Sequence, residues 1–119
     1  MAAAKLNLNI EQGATWRYTL MAKQGVDANA PALDLTGYSA RMQLRAELPD
    51  TAVLLELTTA NRRITITPLA GRIDLLLTAT ETAALSFEAA VYDLELASSG
   101  GEVTRLVKGK VTLTLEVTR

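Results

Sequence analysis

An all-β fold, a sandwich of about seven or eight short antiparallel strands, is predicted by three features of the sequence. Apolar and polar residues alternate with period two over most of the chain. Clusters of Gly, Pro, Asn and Asp interrupt that alternation at short intervals. Only residues 79–85 depart from it, toward a helical turn. Each strand has a single apolar face, so a second sheet must cover the first. With 119 residues and 49% hydrophobic content, the chain is expected to form one domain over 1–119, with one core.

In chain order, Leu6, Leu8 and Ile10 alternate with Asn7 and Asn9 as a first strand. Residues 15–21 form a second, with Trp16, Tyr18 and Leu20 on one face and Trp16 in the core. Residues 23–35 carry Gly25 and Pro31 without a steady period, and read as a long solvated loop. Residues 38–46 show the cleanest alternation of the first half. Tyr38, Ala40, Met42, Leu44 and Ala46 point one way, and Ser39, Arg41, Gln43 and Arg45 the other. Strands follow at 52–58, 63–67 and 72–78, separated by turns at Ala60, Asn61 and 68–71. Ile73, Leu75 and Leu77 face inward, which leaves Leu76 outside. Thr78 followed by Glu81 fits a capping box, and the alanines after it favour helix.

The last two strands close the chain as a hairpin through Ser99, Gly100 and Gly101. Tyr92, Leu94 and Leu96 go inward, and Asp93 and Glu95 outward. Two registers fit the turn. A three-residue loop with left-handed Gly101 pairs Glu95 with Arg105 and Leu94 with Leu106; a loop one residue different pairs Leu94 with Arg105. A one-residue slip reverses every facing, so the first is preferred. It puts Leu106 inward on an even position, whereas Val111, Leu113, Leu115 and Val117 are inward on odd ones. A bulge is therefore expected, at Gly109.

Composition narrows the chemistry. Net charge is −1, with twelve basic and thirteen acidic residues, so no concentrated basic footprint for nucleic acid is expected. The absence of Cys and His removes disulfides, thiolate sites, a cysteine nucleophile and the commonest metal ligand. The start lacks the pattern of a secretory signal, and no apolar run approaches the roughly 20 residues that span a bilayer. The chain is expected to fold in the cytoplasm.

Asp93 and Glu95, two apart on one strand face, have the spacing of an acid–base pair but project to solvent opposite Arg105. Asp34 and Asp50 are turn residues, and no Asp-rich loop offers a calcium cage. Gly100 and Gly101 make a hairpin turn with no helix behind it for a phosphate. Arg41, Gln43 and Arg45 form either a binding stripe or a solvated face, the latter being commoner. The five aromatics are too scattered for base stacking, and Phe87 is the one expected at the surface. No catalytic, cofactor or metal residue is assigned, and no enzyme activity is expected; what remains is an interaction module.

Four stretches carry a resemblance: 10–16 (IEQGATW), 34–45 (DLTGYSARMQLR), 92–96 (YDLEL) and 100–112 (GGEVTRLVKGKVT). Together they resemble small tailed-phage and prophage tail structural proteins. They are similar in pattern to the immunoglobulin-like N-terminal domain of siphophage baseplate upper proteins. The resemblance implies an immunoglobulin-like antiparallel β-sandwich without enzymatic activity or cofactor. It further implies assembly in the bacterial cytoplasm with other tail or baseplate subunits and location in the virion; with the composition above, neither a nucleic-acid partner nor membrane insertion is expected. Homo-oligomer formation stays open. Baseplate proteins continue into a receptor-binding region, whereas this sequence ends after Val117, Thr118 and Arg119, which favours an adaptor. A head or neck decoration protein and a sugar- or receptor-binding module are the alternatives.

Overall fold

The computed structural model describes residues 3–25 and 29–118. The strands are β1 (Ala4–Lys5), β2 (Leu8–Glu11), β3 (Trp16–Met21), β4 (Ser39–Arg45), β5 (Leu55–Thr58), β6 (Ile64–Thr67) and β7 (Arg72–Leu77). Helix α1 (Ala79–Ala83) follows, then β8 (Ala89–Ala97) and β9 (Val103–Thr114). The larger sheet has the order β1-β9-β8-β4-β5, with β2 also on β9; the smaller is β3-β7-β6. This is the strand arrangement of an immunoglobulin-like sandwich.

One edge departs from the expected antiparallel scheme. β1 and β2 run parallel to β9, with Ala4 opposite Val107 and Leu8 opposite Val111. No hairpin joins these strands, so nothing in the chain compels them to run antiparallel.

The core lies between the sheets. Met42, Leu44, Leu57, Leu94, Leu96 and Val111 of the larger sheet face Ile64, Ile73, Leu75 and Leu77 of the smaller, all buried. Such side chains contribute roughly 1.5–3 kcal/mol each on burial. Trp16 is on β3, buried, and its indole N–H donates to the Asn9 carbonyl at 2.9 Å, linking the sheets. The capping box of α1 is present. The Thr78 hydroxyl accepts from the Glu81 N–H at 3.1 Å, and the Glu81 carboxylate accepts from the Thr78 N–H at 2.8 Å. Buried Thr82 ties this turn to the β2–β3 corner, accepting from the Gly13 N–H at 3.0 Å and lying 2.8 Å from the Ala14 carbonyl.

Several expectations are corrected. The predicted loop at 23–35 includes residues 26–28, which lie outside the described residues. Its remainder is not merely solvated, because Leu35 is fully buried and Lys23 bridges to Ala32. Ala46 is exposed because β4 ends at Arg45, and 52–54 precede β5 as exposed turn. Phe87 is half-buried against the core rather than exposed. Leu115 and Val117, expected inward, are 62% and 93% exposed. β9 ends at Thr114, so both lie beyond the strand.

The hairpin adopts the preferred three-residue loop. Ser98 N–H donates to the Glu102 carbonyl at 2.8 Å, Gly101 has φ +92°, and Glu95 lies opposite Arg105. The next pair is Leu94 with Val107, so the bulge is at Leu106 and not at Gly109. Leu106 is consequently only half-buried, and Val107 takes the core position. Gly109 stays in register opposite Tyr92 for a different reason. The N-terminal chain crosses there so closely that a Cβ would sit 2.0 Å from the Leu6 carbonyl oxygen. That carbonyl accepts the Tyr92 hydroxyl at 2.7 Å, and the Leu6 N–H donates to Lys108 at 2.8 Å.

Gly109→Ala should therefore lower unfolding free energy by about 2–3 kcal/mol through backbone displacement. Urea denaturation measures this, with exposed Lys110→Ala as a control expected within about 0.5 kcal/mol of wild type.

Candidate functional site

The outward face of the larger sheet forms an open concavity of about 660 Å³. Its floor is set by strand register. One row reads Arg41, Glu95, Arg105 across β4, β8 and β9; the next reads Gln43, Asp93, Lys108, with Lys5 of β1 beyond. The third reads Arg45, Val91, Lys110. Within each row, neighbouring strands lie about 4.8 Å apart. Two carboxylates thus run along the central strand, with six cations flanking them. Leu48, 83% exposed, stands at the rim.

Few of these charges neutralise one another. Arg105 Nε lies 3.1 Å from Asp93 Oδ2, so its ion pair runs diagonally, past its register partner Glu95. Long side chains span such diagonal positions readily. Lys5, Arg41, Arg45, Lys108 and Lys110 make no ion pair among the described residues. Arg45 is nonetheless held in place, donating to the Gln43 amide oxygen at 2.8 Å and the Asp50 carbonyl at 2.7 Å. Gln43 in turn donates to Glu56 at 2.6 Å. The result is a fixed guanidinium whose charge has no carboxylate against it.

The stripe Arg41, Gln43, Arg45 and the pair Asp93, Glu95, both singled out in the sequence, therefore meet in one groove. Asp34 and Asp50 do not join them. Asp34 accepts from the Thr36 amide at 2.9 Å and hydroxyl at 2.6 Å, and Asp50 accepts from the Glu47 N–H at 3.1 Å. Lys5, Lys108 and Lys110 were missed. The alternation of Lys108 and Lys110 about Gly109 was a usable signal, but the face they occupy depends on where the bulge falls.

The displaced ionisations lie in the scaffold. Hydrogen bonds from Thr36, Thr19 and the Thr78 amide hold the carboxyls of Asp34, Asp74 and Glu81, respectively, below their usual values. Burial, with Tyr18 nearby, pushes the Tyr92 phenol up to about 12. Among the described residues no group of three or more His, Cys, Asp or Glu side chains is placed to hold a metal ion. Among the described residues no helix is long and apolar enough to cross a membrane. Trp16 and Tyr92 are buried, and Tyr18, Tyr38 and Phe87 are half-buried.

No family model and no curated protein matches the chain. Among solved structures it is similar to a chain of one described as "crystal structure of chicken TCR for 2.0", with 13% sequence identity and a TM-score of 0.56. The match covers 96% of this chain and 56% of the other, so this chain spans about half the length of that neighbour. At that identity the likeness concerns the fold alone, an immunoglobulin-like β-sandwich.

Tyr92 gives the scaffold a pH signature. Its folded pKa is raised, so the stabilisation from the neutral buried phenol is complete below about pH 10, the unfolded value. It is lost as pH rises from there through about 12. Thermal melts across this alkaline range should show a fall in stability that Tyr92→Phe lessens.

Proposed function

We propose that this chain is a non-enzymatic structural subunit of a tailed-phage or prophage particle, an adaptor associated with the tail or baseplate. It works through protein–protein contacts, and is assembled into the virion in the host cytoplasm. The observation that carries the contact reading is the groove on β4, β8 and β9. It is open and built on rigid strands, with five cations lacking ion pairs among the described residues around an apolar floor residue, Val91. Such an open, densely charged surface suits a protein partner, whereas small-molecule sites are more enclosed and largely apolar. The absence of exposed aromatic platforms disfavours a sugar site, since all five aromatic rings are at least half-buried. The phage assignment itself rests on the four stretches that resemble tail proteins, because a sandwich fold alone implies no function.

Mass spectrometry of purified particles from the host bacterium tests this. The chain should fractionate with tails and cross-link through Lys108 or Lys110 to a neighbouring subunit. Its absence from intact particles would overturn the assignment.

A further inference from the structure

We infer that the cationic groove receives a second copy of this chain, which presents its carboxylate-bearing end. This deepens the protein-contact reading above and rests on it. Of the chain's twelve basic and thirteen acidic residues, six and two line the groove; outside it the described residues carry five basic and ten acidic side chains. A nearly neutral molecule is therefore strongly divided in charge.

Four of these carboxylates share one end of the larger sheet. Exposed Glu11 ends β2 opposite Thr114, and exposed Glu88 precedes β8, its carbonyl accepting from the Leu113 N–H at 3.0 Å. Exposed Glu47 and Asp50 lie in the turn after β4, whose last residue, Arg45, pairs with Val91 near the start of β8. All four thus gather at one end of the larger sheet. None makes an ion pair among the described residues. The groove has cations without ion pairs and this end has carboxylates without ion pairs among the described residues, and exposed Leu48 at the rim adds apolar area.

Complementary patches of this kind steer encounter and set register between partners. Between identical chains they give a closed pair if both contacts form reciprocally, and an open or ring assembly if they do not. Nucleic acid fits less well. The two carboxylates on the central strand oppose a phosphate track, and no aromatic ring is offered for base stacking.

Charge-swapped variants of the full chain test the inference. The groove variant is Lys108→Glu with Lys110→Glu, and the end variant is Glu11→Lys with Glu88→Lys. Sedimentation velocity at high micromolar protein should show wild-type self-association that weakens by about tenfold or more between roughly 20 mM and 500 mM salt. Each variant alone should be largely monomeric, and an equimolar mixture should associate again, to within about threefold of wild type. Recovery in the mixture also shows that both variants are folded. Wild-type protein that stays monomeric throughout overturns the inference, as does association that neither variant alters. Binding of a polyglutamate peptide or an oligonucleotide by such a monomer assigns the groove to that other occupant. Particle proteomics is independent of these results, so failure of self-association and failure of the virion assignment are distinguishable.

Discussion

Strand β9 must satisfy two demands that conflict in phase, and the extra residue at Leu106 reconciles them. The turn through Ser99, Gly100 and Gly101 fixes Glu95 opposite Arg105. The core requires Val107, Val111 and Leu113 to face the other sheet, and all three are buried. Without a bulge these positions would share the face of Arg105, in solvent. Inserting Leu106 turns the later part of the strand over. A consequence for the surface follows at once: Arg105, on an odd position, joins Lys108 and Lys110, on even ones. The groove's cationic wall is a by-product of how the core is closed.

The N-terminal chain secures the same region from outside. Gly109 has no side chain, so the Leu6 carbonyl comes within reach of the Tyr92 hydroxyl at 2.7 Å. The Asn7 side chain accepts from the Lys110 N–H at 3.1 Å, and β2 continues down β9 in parallel. The crossing covers the edge that β9 would otherwise expose. It also delivers Lys5 to a place opposite Lys108. Edge protection and the sixth cation of the groove thus come from one segment.

An arrangement of this kind acts by selection more than by strength. Exposed charge contacts contribute about 0.2–1 kcal/mol each and are screened by salt. Several of them on a rigid sheet discriminate between surfaces of opposite and like sign, and accelerate encounter. Strand backbones give side chains fixed spacing, and the bonds from Arg45 to Gln43 and Asp50 remove much of the freedom of one guanidinium. The entropy cost of ordering it on contact is correspondingly smaller.

What the sequence determined by itself is whatever depends on neighbours along the chain. Alternation in 38–46 and 90–97 defined two central strands and the outward stripe of Arg41, Gln43 and Arg45. Thr78 and Glu81 announced the helical turn, and Gly100 with Gly101 the hairpin loop. The lack of Cys and His closed off much chemistry. What only tertiary structure decided depends on partners distant in sequence. Gly109 was legible as unusual, but its reason is a backbone about a hundred residues away, so the bulge was expected there instead of at Leu106. Leu115 and Val117 kept the period of a buried strand, yet the strand ends at Thr114 and both are exposed. Lys5, Lys108 and Lys110 could not be placed in the groove until strand direction and bulge position were known, because period-two patterning is blind to a one-residue change of phase.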